Sequence, residues 1–292
     1  MNHPGQLSAA FLMVVSLVAS AAAQEPASAV PDWLTAARPQ LNLDAAAETA
    51  ADDDNELRTD RDAYTFVPTT ARFGETILES SFSYIDNPGF ASTYSFPELL
   101  VRVGVNDWME ARLGWNYDIG GINDITGMGS IGGLISPSEA NGSFLFGTKI
   151  RLLENEGRRP AASIMIHGET PTSGGDNTTD PSASAVLEWK VQDDWLLALG
   201  LHYQVLTDPD DYYNEWTPSM ILRIPVGERW NVHAEWFSNW TVGRQDEERQ
   251  HYVSPGGHVA VTENFEIGLR LVIGLSPGAD SFVANTGIAL RF

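Results

Sequence analysis

The sequence predicts an all-β protein: a transmembrane, antiparallel up-and-down β-barrel of about twelve strands, closed by the C-terminal strand. Three observations predict it. Apolar and polar residues alternate with period two in segment after segment from Phe73 onward. The connections between these segments alternate between short and long. Charged residues within a segment share a parity, so one face of each strand is free of charge.

Composition sets the outer limits. The chain has 292 residues, with 17 basic against 39 acidic side chains, a net charge of −22. Reading nucleic acid needs a basic face, so that class is excluded. There is no cysteine, which removes disulfide scaffolds, thiolate metal sites and cysteine nucleophiles. Nine Trp, eight Tyr and twelve Phe are more aromatics than a generally disordered chain carries. Beyond the N-terminus no apolar run reaches the ~18 residues that a transmembrane helix needs.

The elements follow in order. Residues 8–23, SAAFLMVVSLVASAAA, form an apolar core ending in Ala21-Ala22-Ala23. Small residues there fit a signal-peptidase site, so residues 1–23 are expected to be a signal peptide. Residues 24–72 are rich in Ala and acid, with ten acidic and four basic residues. This zone is expected to be periplasmic and mostly flexible, or a partial plug folded into a lumen. Residues 73–292 are the expected barrel. Within it, 265–275 reads FEIGLRLVIGL, with Phe265, Ile267, Leu269, Leu271, Ile273 and Leu275 on one face and Glu266, Gly268, Arg270 and Gly274 on the other. That is a strand pattern.

The same reading gives strands at 75–85, 92–105, 108–118, 143–153, 160–169, 182–191, 195–206, 215–226, 229–240, 249–261, 265–275 and 282–292. Pro255 and the pair Gly256-Gly257 interrupt the tenth and predict a bulge or bend. Tight turns at 106–107, 192–194, 227–228 and 262–264 are each followed by an aromatic: Trp108, Trp195, Trp230 and Phe265. These four are expected at the membrane interface on the short-turn rim. Longer polar links fall at 119–142, 170–181, 207–214 and 241–248.

Charge placement argues for a lipid-bathed barrel. Glu75 and Glu79, Glu98 and Arg102, Glu110 and Arg112, Lys149 and Arg151, Glu188 and Lys190, and Glu266 and Arg270 each share a face. So do His167 with Glu169 and His233 with Glu235. Hydrocarbon requires the charge-free face, since a lipid-facing Arg or Lys costs about 2–4 kcal/mol near the bilayer midplane. The charged faces hold eight acidic and eight basic residues, whereas the long links net −12. Confined charges need partners, so a neutral inner wall is what a lumen demands. The expected lumen-lining residues are Glu98, Arg102, Glu110, Arg112, Lys149, Arg151, Glu188, Lys190, Arg223, Glu235 and Arg270. An even strand number puts both termini on the short-turn rim, expected to be periplasmic.

The chain ends TGIALRF. Thr286, Gly287, Leu290 and Phe292 resemble the C-terminal signal of outer-membrane barrels, which implies recognition by the barrel-insertion machinery. At the other end stand Thr59-Asp60-Arg61, Pro68, Gly74, Glu79-Ser80 and Phe82-Ser83-Tyr84. These resemble the opening of the bacterial outer-membrane family labelled "MetA-pathway of phenol degradation", often called simply a transporter. Family members commonly carry Pro after the first triplet, where this chain has Asp62. The resemblance implies a barrel that passes aromatic or other hydrophobic compounds.

Signs of other chemistry are sparse. Gly127, Gly129 and Gly132 match G-x-G-x-x-G, but inside the longest link rather than between a strand and a helix, so a flexible loop is expected. Outer-membrane phospholipases also have twelve strands and use a His-x-Ser pair, and no His here is followed two residues on by Ser. Asp208, Asp210, Asp211 and Glu215 form the densest acidic cluster, read as a solvated loop in preference to a cation site. His202 and His233 are read as members of a lumen network, because a metal site needs three or four convergent ligands. No catalytic residue, metal site or cofactor is expected. The expected function is passive passage of small molecules through an outer-membrane channel or carrier, with outer-membrane lipids as partners. A closed structural or surface-binding barrel is the alternative, and a lipid-active enzyme the third reading.

Overall fold

The computed structural model describes residues 56–86, 91–120, 139–173, 178–192, 194–208, 211–243 and 249–292. The expected signal peptide, residues 24–55, the Gly127–Gly132 loop, Asp210 and Arg244 lie outside the described residues, as do the side chains of Asp208 and Asp211.

Twelve strands run in chain order: β1 Thr76–Asp86, β2 Thr93–Asn106, β3 Met109–Gly120, β4 Glu139–Leu153, β5 Ala161–Pro171, β6 Asp180–Gln192, β7 Trp195–Asp208, β8 Asp211–Val226, β9 Trp230–Val242, β10 Arg249–Thr262, β11 Phe265–Gly274 and β12 Phe282–Arg291. Each pairs antiparallel with its neighbours, and β12 pairs with β1 from Ile77↔Arg291 to Asp86↔Phe282, which closes the barrel. Closure leaves no open strand edge, the condition for spanning a bilayer with strands.

Period-two alternation sets the two faces. On β11, Ile267, Leu269 and Ile273 are exposed while Glu266, Arg270 and Val272 are buried. Across the barrel on β3, Leu113 and Trp115 are exposed while Arg112 and Asn116 are buried. The apolar side chains face outward and the charged ones inward, the reverse of a water-soluble barrel. Shifting any strand by one residue would exchange the faces, so the register is strongly specified.

The observed strands differ from the expected ones mainly on the long-link side. β4 and β8 begin at Glu139 and Asp211, each four residues before the expected starts at 143 and 215. The link 207–214, expected to be long, is tight: Asp208 pairs with Asp211. Glu215, the first residue of the expected eighth strand and a member of the acidic cluster, is a buried inward residue of β8, and Asp118, the last residue of the expected third strand, is buried on β3. At 15 and 16 residues β4 and β8 are longer than the hydrocarbon requires, which is about 9–11 residues per strand. Polar residues near a strand end mark the end of the hydrocarbon and not the end of the strand. The bulge expected at Pro255 is a lapse in pairing instead. Val253↔Ile273 and Gly256↔Arg270 keep one register, and the shift comes later, between Ala260 and Thr262.

Candidate functional site

The lumen is filled. Residues 57–71, which precede β1, run through the barrel interior, and Leu57, Thr59 to Val67 and Ala71 are buried there. The segment joins the wall at the short-turn rim, where the Gly74 N–H donates to the Gly104 carbonyl at 3.1 Å.

Asp60 is the hub of the plug. Its Oδ2 lies 2.5 Å from Arg112 Nη1, 2.7 Å from Lys149 Nζ and 3.6 Å from Arg102 Nε. Its Oδ1 accepts the Val67 N–H at 3.0 Å, which folds the segment into a compact turn. The three cations come from β2, β3 and β4, neighbours in the sheet, whose inward positions converge on one point. Glu110 completes the cluster, 3.0 Å from Arg102 and 2.6 Å from Arg112. Arg102 Nη1 also reaches Glu79 at 2.9 Å. Burial by itself would push the Asp60 carboxyl up, yet Arg102, Lys149 and Arg112 hold it well below the usual carboxylate range.

Further anchors surround this hub. Glu235 on β9 accepts the Tyr64 N–H at 2.9 Å, the Thr65 N–H at 2.6 Å and the Thr65 hydroxyl at 2.7 Å. Glu188 on β6 takes Arg58 at 2.8 Å and Arg223 at 3.2 Å, and Arg223 donates to the Thr65 carbonyl at 2.6 Å. Lys149 donates to the Val67 and Thr69 carbonyls, both at 3.1 Å. A coil without its own ladder must satisfy its backbone elsewhere, and here the wall charges do so.

Glycines open the seat. A Cβ on Gly104 would fall 1.6 Å from the Arg72 carbonyl oxygen, and one on Gly287 would fall 3.2 Å from the Arg61 guanidinium carbon. Side chains at these inward positions would expel the segment. Its apolar residues have matching sites: Ala63 and Phe66 pack with Met165, Val186, Ala198 and Ile221. Tyr64 begins an apolar ladder, stacked on Phe237 at 4.6 Å, which stacks on Tyr252 at 4.9 Å. Ile85, Val272, Ala279 and Val283 complete that cluster.

Asp62, His258 and Glu266 bring three ligand atoms within 4.8 Å of one another. The imidazole lies between the acids, with Nδ1 2.7 Å from Asp62 and Nε2 3.6 Å from Glu266. Each ring nitrogen therefore faces a different carboxylate. That is the geometry of an imidazole bridging two carboxyl groups, whereas chelation needs one nitrogen and both carboxylates directed at a common point.

The family model described as "Putative MetA-pathway of phenol degradation" matches residues 97–292. The chain belongs to this family. Among solved structures, it is similar to the COG4313 outer membrane channel from Pseudomonas putida F1, with a TM-score of 0.58 and 12% identity over 77% of this chain and 97% of that one. It is also similar to the NanC porin, with a TM-score of 0.49 and 10% identity over 74% of this chain and 100% of that one. No curated protein matches it in sequence. The fold is that of an outer-membrane barrel.

In this member of the MetA phenol-degradation family, the charged residues singled out from sequence divide into two groups. Glu98, Arg102, Glu110, Arg112, Lys149, Glu188, Arg223, Glu235 and Arg270 are buried inside the barrel. Most of those described above meet at the plug rather than lining a water-filled path. Arg151 and Lys190 stand apart at the rim, paired with Glu154 at 3.3 Å and Asp194 at 2.5 Å. Trp108 and Trp230 are exposed at the short-turn rim, and Trp195 and Phe265 are half-buried there. On β12, Thr286 is exposed and Gly287 and Leu290 are half-buried, and Phe292, just after the strand, is exposed. His202 bonds to Ser184 at 2.6 Å and Gln204 at 3.3 Å. Sequence reading missed Asp60, Asp62 and Arg58 as site residues. The signal in the sequence is the triplet Thr59-Asp60-Arg61, whose Asp60 meets cations more than 40 residues away along the chain, beyond the reach of local pattern.

Proposed function

We propose that the barrel gives small hydrophobic or aromatic molecules passive passage across the outer membrane, with residues 57–71 as the gate. One observation carries this reading: the ladder Tyr64–Phe237–Tyr252 and its apolar neighbours. Barrel interiors of this class are polar, and an apolar strip leading to the gate fits a solute with an apolar face. Small cavities flank the plug, one beside Arg61, Asp62 and Glu266 and one beside Asp60, Phe66 and Met165. Passage through them requires the plug to move or the solute to leave sideways. The similar Pseudomonas channel supports the reading by its fold. Both termini then lie in the periplasm, with the short turns.

A second reading, a closed structural barrel, is favoured by the density of the Asp60 cluster. Liposome experiments separate the two. A channel admits a small aromatic solute, with faster entry when the plug is loosened by Asp60→Asn. A structural barrel admits none in either form, and that result would end the transport reading.

A further inference from the structure

We propose that the place filled by the Tyr64 ring is a binding seat for a small monocyclic aromatic molecule, which opens the plug by taking that place. The inference rests on the passage reading and names how the solute acts on the gate.

Three rings stack in the lumen. Tyr64 lies on Phe237 with centroids 4.6 Å apart and planes 9° apart, and Phe237 lies on Tyr252 at 4.9 Å and 16°. Phe237 on β9 and Tyr252 on β10 are register partners, so both are fixed in the wall. Of the three, only Tyr64 belongs to the plug. The His202 imidazole on β7 closes one side, 6.3 Å from the Tyr64 ring and at 88° to it. The wall therefore offers an aromatic face and an aromatic edge, and the plug supplies the ring that meets them. Aromatic rings favour stacked and edge-to-face contacts of this kind.

Nothing in the seat requires that ring to be tethered. The plug backbone is held beside it by Glu235, which accepts from the Tyr64 and Thr65 N–H groups. The Tyr64 side chain adds stacking and burial, while its hydroxyl is buried with no hydrogen-bond partner among the described residues. A free ring recovers the same stacking and burial. The seat has the size of the side chain that now fills it, and close-packed interiors yield little, so a single ring with small substituents is admitted and a fused ring system is not.

The seat also has an approach. The apolar cluster that contains Tyr64 extends to Ile85 and Val283, at the long-link ends of β1 and β12. An apolar solute entering from that side follows the strip and meets Tyr64 at its inner end. A ligand that binds only where Tyr64 has left shifts the plug toward its undocked state, in proportion to ligand concentration over Kd.

The test is trypsin cleavage of the full chain in detergent micelles. The probe is p-cresol, the Tyr side chain as a free molecule, and 4-methylcyclohexanol is its counterpart without an aromatic face. Burial of one ring supports a Kd on the order of 1 mM. At about 10 mM, p-cresol is expected to quicken cleavage after Arg58, Arg61 and Arg72 about tenfold, with a smaller effect from 4-methylcyclohexanol. Tyr64→Gly leaves the seat empty with the plug docked, so p-cresol binds there without displacing anything and the acceleration is expected to vanish. Phe237→Leu removes the aromatic face from the wall and is expected to lose the response as well, should the first variant not fold. No acceleration in the wild type, equal effects of the two probes, or an acceleration that persists in a folded variant would overturn the proposal. Faster cleavage without entry of p-cresol into liposomes would remove the passage reading and keep the seat. Entry without faster cleavage would do the reverse.

Discussion

Replacing Asp60 by Asn should loosen the plug while leaving the barrel closed. The carboxylate faces three buried cations, at 2.5, 2.7 and 3.6 Å. Losing one partner of a buried ion pair costs about 3–5 kcal/mol. Here the cations keep Glu79 and Glu110, so the low end applies, about 3 kcal/mol. At 1.4 kcal/mol per decade, the undocked population rises about a hundredfold. Trypsin reports that population, because Arg58, Arg61 and Arg72 lie in or beside the plug and cleavage of a transiently opened segment follows its equilibrium opening. Cleavage at these arginines should therefore quicken about a hundredfold in micelles, while heat-modifiable gel mobility shows an intact barrel. A rate within about threefold of wild type would mean that Asp60 contributes less than about 0.7 kcal/mol, and the hub assignment would fall.

Other expectations follow from the same geometry. Glu235→Gln removes the charge from an acceptor of three plug hydrogen bonds, and amide exchange at Tyr64 and Thr65 should quicken, matching a loss of about 1.5–3 kcal/mol; unchanged protection would contradict the docking. Gly104→Ala places a methyl on the Arg72 carbonyl, so trypsin should cut after Arg72 early, and full resistance would show that the seat yields. Leu269→Arg puts a charge on the lipid face of β11, where Leu269 is 56% exposed, and unfolding in bilayers should become easier by about 2–4 kcal/mol; no change in the urea midpoint would deny that this face meets lipid. The Asp60 carboxyl is depressed by its cations. Its stabilisation is therefore complete above the unfolded value near 3.9 and is lost only as pH falls through the lower folded value. Bilayer conductance should accordingly be no higher at pH 4.5 than at pH 7 on account of this group, and an Asp60-dependent rise across that interval, absent in Asp60→Asn, would refute the sign.

Much of the wall could be read from the residues alone, for a local reason. The pleat has a period of two, so Glu266 and Arg270 on one side and Ile267 and Leu269 on the other report their faces within a few residues. The even strand number, the short-turn rim with Trp108 and Trp230, and the paired charges all follow from spacing that the chain carries in sequence. Strand ends were less legible. Asp118 and Glu215 sit in polar stretches, and polarity does not distinguish a loop from a strand that has passed beyond the hydrocarbon.

The plug is where sequence alone stopped. Residues 57–71 have no ladder and no repeating pattern, so nothing local says whether they hang in water or thread a lumen. Their partners are far along the chain: Lys149 is 89 residues from Asp60, and Glu235 is 171 from Tyr64. The sequence by itself determined an inside-out barrel with a charged interior, because alternation is a short-range property of the backbone. Only the tertiary structure decided what neutralises that interior, because bringing β2, β3 and β4 side by side places Arg102, Arg112 and Lys149 around one carboxylate that their sequence positions never bring near.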